Sequence, residues 1–450
     1  MAKNFERKLL LAKGGHYEII VKGTYDDSKK EEVITEVSGK SINNSNREKN
    51  DDPETFAFKE LRSLYKLELE RNFENLVLLT GAGASKGIGE GDNKGLLLSE
   101  FWNIIDEILN GNYGVTDSLQ MICEQVGFDL KKKGHDIEAL LSWLFLLQQT
   151  DSKNSITFSS DPKSKEASLA EISEAIEKKI RDLCDLKLPV QSPQRSLLEK
   201  LGKRKQSLPR IKIFTLNYDT LFEQASGQIN AVLLDGFSFN LPRIFSGRNF
   251  DYDIVKRENS KLGKDNNYLE RVFHLYKLHG SINWERREDD SEILLNEGTK
   301  QPLMIYPRGN KYEVSYEQPY FEMMSRFQAS LRQNNVTLVV IGYSFLDKHI
   351  NTVIVEAFNQ NPTFNLIIVD PYLSEESPKS DIQKVFINKA KETSRIMLIG
   401  ETFSDFADNF PENHTHDERE PTRITYSTKS SAENLKSEET AQDNEEDKPF

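Results

Sequence analysis

"NLVLLTGAGAS", residues 75–85, passes from an apolar run at 76–79 into glycine and alanine within a few positions. An apolar run that enters a glycine turn is how a buried strand leads into a phosphate-binding βα turn. Gly81 and Gly83 allow a tight turn with close backbone approach, and Ala82 and Ala84 keep it small. The following helix would offer free N–H groups and the positive end of its dipole to a pyrophosphate, with Ser85 adding a hydroxyl. The usual dinucleotide fingerprint asks for a third glycine at 86, where Lys86 stands, and for an acidic residue ending the next strand, where a helical pattern follows. The stretch therefore departs from the dehydrogenase pattern, and an ordinary βα turn explains the glycines equally well.

On either side of this turn the pattern is one of helices and buried strands. "FAFKELRSLYKLELERNFE" from Phe56 has helical spacing and leads into the strand. Beyond the glycines, "LLLSEFWNIIDEILN", "IEALLSWLFLLQQ" and "ASLAEISEAIEKKIRDLCDL" are helical, which predicts a helical insertion over about 96–205. The second half returns to strands with "IKIFTLN", "AVLLDGF", "VFHLYKLHG", "VTLVVIGYS", "FNLIIVD" and "RIMLIG", most followed by helical segments. Near-continuous apolar strands alternating with helices predict an α/β fold, a Rossmann-like parallel sheet with helices on both faces. Ligands of such sheets collect at the carboxyl ends of the strands.

Three regions follow: an N-terminal extension over 1–55, a core over 56–410 containing the insertion, and an acidic tail over 411–450. In the extension, "HYEIIVKG" at 16–23 alternates like one short strand, and the polar stretch from Asp26 to Glu54 reads as a flexible linker. The tail holds 11 acidic residues against 5 basic ones and lacks apolar periodicity, so it is expected to stay solvated. Gly247 to Arg271 is charged and aperiodic, a loop or excursion.

The whole-chain composition narrows the classes. A net charge of -13 argues against a protein that works by neutralising phosphate backbones, so no sequence-specific nucleic-acid binding is expected. Mean hydropathy is -0.60, consistent with ordered structure diluted by polar loops. Cys123 and Cys184 are the sole cysteines, too few for a disulfide framework or a four-cysteine zinc site. The apolar run "LLSWLFLL" at 140–147 falls short of the roughly 20 residues of a bilayer span, and the N-terminus carries no secretory pattern. A cytoplasmic chain without membrane association is the expectation.

Four strand ends carry polar chemistry. "FTLNYDTLFE" at 214–223 places Asn217 and Asp219 at a carboxyl rim, either facing a ligand or capping the helix that starts near Thr220. "LYKLHGSINW" at 275–284 brings His279 to the same rim, where Gly280 permits close approach and imidazole titrates near neutral pH as a general base should. In "VVIGYSFLDKHIN" at 339–351, Ser344 and Asp347 read as an S-x-x-D capping box, compatible with phosphate binding by the Gly342, Tyr343, Ser344 turn. "LIIVDPYL" ends in Asp370, placed to accept from a ribose or to make an Asp-Pro turn. Trp284 reads as an anchor of the sheet edge. His414 and His416, two histidines without a third fixed ligand, are assigned to solvent, so no metal site is expected.

The order GAGAS, LNYD, LHGS, GYS and a strand ending in Asp resembles the sirtuin-like family, and in particular its divergent bacterial branch that serves in anti-phage defence. The resemblance runs from about Asn75 to Phe410, carried chiefly by "TLNYDTLFE", "KLHGSINW" and "GYSFLDKHIN". It implies that Gly81, Ala82, Gly83, Ala84 and Ser85 hold the NAD pyrophosphate and adjoining ribose, with Gly342, Tyr343 and Ser344 helping from the facing turn. Asn217 would orient the nicotinamide ribose and the attacking water, Asp219 would shape the nicotinamide pocket, and His279 would be the base. Asp370 would face the adenosine ribose. Deacylating sirtuins follow the glycine turn with a G-I-P-x-F-R-like stretch, where this chain has "KGIGEGDN", and they carry a module of four cysteines around zinc. Hydrolysis of NAD, taken as substrate and without zinc, is what remains; the alternatives are an NAD-dependent protein deacylase and a non-catalytic subunit that binds NAD or ADP-ribose. The resemblance further implies a homo-oligomer and a HerA-type hexameric ATPase as partner.

Overall fold

The computed structural model describes residues 3–26, 31–39, 53–70, 73–150, 155–160, 163–205, 207–256, 268–287, 292–299, 301–305, 318–373 and 378–412. Nearly all of the acidic tail, with His414 and His416, falls outside the described residues. The chain begins with β1 (Lys3–Ala12), β2 (Tyr17–Asp26), β3 (Glu31–Gly39), α1 (Pro53–Leu69) and β4 (Asn75–Thr80). The insertion follows with α2 (Leu98–Tyr113), α3 (Ser118–Val126), α4 (Leu130–Lys133), α5 (Ile137–Gln148), β5 (Ser155–Ser160), β6 (Lys163–Ser168) and α6 (Leu169–Cys184). Next come α7 (Pro193–Leu201), β7 (Ile211–Thr215), α8 (Leu221–Gln228), β8 (Val232–Leu234), β9 (Val272–Lys277), β10 (Trp284–Arg286) and β11 (Ile293–Leu295). The last elements are α9 (Tyr320–Leu331), β12 (Val336–Ile341), α10 (Lys348–Gln360), β13 (Asn365–Val369), α11 (Asp381–Ala390), β14 (Ile396–Ile399) and α12 (Phe403–Asn409).

Ten strands form one sheet in the order β3-β2-β1-β14-β13-β12-β4-β7-β9-β8. From β14 to β8 every neighbouring pair is parallel. The expected Rossmann-like α/β architecture is thus the observed one, and strand periodicity explains it. In β4, Leu76 and Leu78 enter one core with Ile213, Leu275 and Val339, while Val77 and Leu79 enter a second core with Phe214, Tyr276 and Val340. Two-sided burial is why these strands read as continuous apolar runs rather than alternating ones. Each fully buried Leu or Val contributes about 2 kcal/mol relative to exposure.

The N-terminal extension differs from its sequence expectation. Instead of one short strand there are three, and β1 pairs antiparallel with β14 so that β1, β2 and β3 prolong the main sheet. Charges hid this: β3, "EEVITEVSG", sets its few apolar residues among three glutamates, a pattern that suits an edge strand. The helix α1 then covers the extension and the core together through Ala57, Leu61, Tyr65 and Leu69, all fully buried at helical spacing. The Tyr65 hydroxyl donates to Glu401 beyond β14 at 2.9 Å.

The insertion is also less purely helical than expected. A hairpin of β5 and β6 interrupts it, with Ile156 and Phe158 fully buried against α-helical neighbours such as Leu119 and Ile122. Few apolar residues among serines and lysines give so short a hairpin almost no sequence signal. The insertion core takes in Tyr218, Ile282 and Met304 from loops at the carboxyl ends of the sheet strands, so the insertion rests on that rim. Among the described residues, no helix is long and apolar enough to cross a membrane.

One buried group makes stability depend on pH. His274 in β9 is 8% exposed, its Nδ1 3.1 Å from the Tyr276 hydroxyl. Burial foremost, and then the Lys212 cation, hold its pKa down to about 4. The unfolded ring takes up its proton near pH 6.5, the folded ring only near pH 4. The contribution is therefore complete above pH 6.5 and is lost as the pH falls toward 4, by about 3 kcal/mol in all. Urea unfolding at several pH values should show this slope flattened in His274→Gln; an unchanged slope would refute the assignment.

Candidate active site

Strand register brings the polar strand ends to one height. Ile341 of β12 pairs with Thr80 of β4, Thr80 with Thr215 of β7, and Thr215 with Lys277 of β9. The pairing continues one residue further through Gly81 N to Ile341 O (3.0 Å), Leu216 N to Thr80 O (2.9 Å) and Leu278 N to Thr215 O (2.9 Å). Two positions past that row stand Tyr343, Ala82, Asn217 and His279, on four adjacent parallel strands spaced about 4.8 Å apart.

The glycines serve backbone contact between two turns. Gly83 N donates to Gly342 O at 2.9 Å. A methyl group on Gly81 would stand 2.8 Å from Gly342 O, one on Gly83 2.7 Å from Gly342 Cα, and one on Gly342 2.5 Å from Ala84 N. The helix expected to follow the turn is a single 3-10 turn, Ala82–Ala84, and α2 starts only at Leu98. Its N–H groups are largely consumed within the protein: Ala84 donates to Gly81 O, and Ser85 and Lys86 donate to Ala82 O. The cause is the glycine-rich stretch that follows. Gly87 and Gly89 take positive φ, and the chain folds back so that Gly87 N meets Gly95 O at 2.7 Å. A long-helix dipole aimed at a pyrophosphate is therefore absent from this turn.

The side chains of the glycine turn and of the β7 loop are directly joined. Asn217 Nδ2 donates to Gly81 O at 2.9 Å and to Ser85 Oγ at 2.7 Å, and Ser85 Oγ donates to Asp219 Oδ2 at 2.6 Å. The other oxygen of Asp219 accepts from Leu221 N at 3.1 Å, in the first turn of α8. Capping and site-building are thus divided between the two oxygens of one carboxylate. Beneath them Lys277, 2% exposed, donates to Tyr218 O, Asp219 O and Glu223 Oε1. Burial pushes the Glu223 carboxyl above the usual carboxylate range, with the Lys277 ammonium pulling it back. Sequence reading missed this pair, although a lysine inside an apolar strand signals a buried partner. The insertion reaches the same loop where Tyr218 OH meets Glu138 Oε1 at 3.2 Å and Ile305 O at 2.6 Å.

His279 follows β9, and Gly280 turns the chain there with φ 85°. Its Nε2 lies 3.2 Å from Asp347 Oδ2, and both side chains are mostly buried, 21% and 13% exposed. The capping box expected from Ser344 and Asp347 is not formed. Phe345 takes a left-handed φ of 57°, which prevents a helix from starting at Ser344, and Asp347 itself caps α10 by accepting from His349 N and Ile350 N. Ser344 stays partly exposed at the rim. Tyr343, 5% exposed, points its hydroxyl to Asn351 Oδ1 (2.9 Å) and Asp347 O (3.1 Å) and braces the turn.

Asp370 is 1% exposed and already saturated. It accepts from Lys379 Nζ on both oxygens (2.9 and 2.8 Å), from Gln383 Nε2 (3.0 Å) and from Tyr372 N (2.9 Å). In place of an acceptor open to a ribose, the structure has a buried anchor for the loop before α11. Trp284 is 2% exposed and packs against Phe237 and Phe245, an interior anchor of β10.

Burial pushes the Cys123 thiol up to about 12 and the Cys184 thiol higher still, so both are protonated at neutral pH. Among the described residues, no cluster of His, Cys, Asp and Glu is placed to hold a metal ion. Two surface cavities, of about 260 and 330 Å³, lie at the amino ends of the strands, one beside Arg332 and Glu356, the other beside Asn335 and Arg395. They are remote from the rim just described, and shape alone would have pointed away from the chemistry. The polar network along four strand ends is the better guide, because it sets an amide and an imidazole at one height with carboxylates bonded to their neighbours.

No curated protein matches the chain. Among solved structures, a phosphoserine phosphatase from T. onnurineus in complex with NDSB-201 is 12% identical, over 76% of this chain and 98% of its own, with a TM-score of 0.25. At that score the likeness says nothing about fold or chemistry here. Residues 211–394, which hold Asn217, Asp219, His279, the Gly342 turn and Asp370, match the family model described as a SIR2-like domain, and this supports a sirtuin-like family.

Proposed function

We propose that this chain is an NAD hydrolase that cleaves the nicotinamide N-glycosidic bond, yielding nicotinamide and ADP-ribose, and that NAD depletion serves anti-phage defence. The SIR2-like match supports NAD-related activity in general. The observation that carries the finer reading is the junction of Asn217 with Gly81 and Ser85, at the same height as His279. Cleavage of this bond develops positive charge on the ribose, as in glycoside hydrolysis, and a site that holds the sugar, the leaving base and one water is sufficient. Asn217 orients the ribose and the water, Asp219 shapes the nicotinamide pocket, and His279 accepts a proton.

In the same reading the chain works in the cytoplasm as a homo-oligomer with a HerA-type hexameric ATPase as its partner. The test is incubation of the full chain with NAD, with and without that ATPase, and separation of the products. Nicotinamide and ADP-ribose in equal amounts are expected. Turnover that requires an acyl-lysine peptide and yields acylated ADP-ribose would establish a deacylase instead. NAD left intact in the assembled complex would establish a binding subunit.

A further inference from the structure

We propose that Asp347 is a positioning residue for His279, holding the imidazole in one tautomer across the rim of the sheet; the proposal rests on the hydrolase reading above. Asp347 divides its oxygens. Oδ1 accepts from His349 N at 2.8 Å and Ile350 N at 3.4 Å, which locks the carboxylate to the first turn of α10. Oδ2 stands 3.2 Å from His279 Nε2. A carboxylate only accepts, so Nε2 carries the hydrogen and Nδ1 is the nitrogen left with a lone pair.

The contact also spans the candidate site. β4 and β7 lie between β9, which leads to His279, and β12, which leads to Asp347, a distance of about 14 Å across the sheet. The loops close that gap by two turns of positive φ, at Gly280 and Phe345. A helix cap that also reaches a candidate base is held more rigidly than a carboxylate on a free loop. Preorganisation of this kind fixes both the orientation and the protonation pattern of the ring.

In the hydrolytic step, the water oxygen bonds to ribose C1′ as the bond from C1′ to the nicotinamide nitrogen breaks, and that electron pair neutralises the pyridinium ring. The proton of the water passes to His279 Nδ1. The imidazolium so formed faces the Asp347 carboxylate until the proton leaves to solvent.

Two variants of the full chain separate this role from helix capping. Asparagine and serine cap helices about as well as aspartate, so Asp347→Asn and Asp347→Ser should both fold. The asparagine amide brings no charge and can donate to the ring, and the serine is too short to reach it. Nitrogen-15 spectra of histidine-labelled protein, with His279 assigned through His279→Gln, should show the Nε2–H tautomer alone in the wild type and a mixture of tautomers in both variants. NAD turnover in both should fall roughly 10²–10⁴-fold in kcat with KM changed less than about threefold. A wild-type ring carrying its hydrogen on Nδ1 overturns the proposal, as do variants that keep both the single tautomer and the turnover. If no form of the chain consumes NAD, hydrolysis is refuted, and the tautomer comparison still decides the dyad.

Discussion

Asn217→Ala and His279→Ala are expected to abolish NAD cleavage, each by roughly 10²–10⁴-fold, while the protein stays folded. The amide of Asn217 touches both Gly81 O and Ser85 Oγ, so it joins the β7 loop to the glycine turn. Removing it leaves the Ser85 to Asp219 bond and the Ala84 N to Gly81 O bond in place, at a cost of about 1 kcal/mol, small beside the lost activity. The His279 ring meets Asp347 at the rim, and Asp347 keeps its cap of α10 while the His279 main chain still accepts from Ile305 N at 2.8 Å after truncation. Product formation over time, read beside melting temperature, checks both claims. Turnover within threefold of wild type in either variant would remove that residue from the reaction.

Gly342→Val should destabilise the fold by about 4 kcal/mol or more, and lower the melting temperature by ~10 °C. Two terms add here. Gly342 has φ 62°, a region costly for a β-branched residue, and its added carbon would stand 2.5 Å from Ala84 N and from Gly83 C. Neither neighbour is a flexible side-chain end, so relief requires parting the two turns and breaking the bond from Gly83 N to Gly342 O. Gly91→Val provides the control. It has a similar φ of 60° with nothing within 4 Å of the added carbon, so only strain is paid, about 1–2 kcal/mol. Equal melting temperatures for the two variants would show that close packing of the turns is unimportant.

The central strands were legible because each is apolar on both faces, and two-sided burial leaves that trace in any sequence. The extension was not, since β3 carries its apolar residues among glutamates at a sheet edge. Candidate site residues were found where a strand ended in an unusual polar group, as at Asn217 and His279. The partners that give them meaning were not. Asp347 reads locally as a helix cap, and it is one, yet its second oxygen belongs to a histidine 68 residues earlier. Asp370 reads as a rim carboxylate and is instead enclosed by Lys379 and Gln383.

By itself the sequence determined that strands and helices alternate, and that the central strands are parallel and covered on both faces; the need for glycine at 81, 83 and 342 came from the contact between two turns. The alternation and the burial of the central strands follow from local periodicity. Only the tertiary structure decided that Ser85 meets Asp219 across 134 residues, that β4 lies between β12 and β7, and that an imidazole and a helix cap meet over the rim. Strand order and register carry that information, and they are set by how whole faces pack rather than by any short stretch of chain.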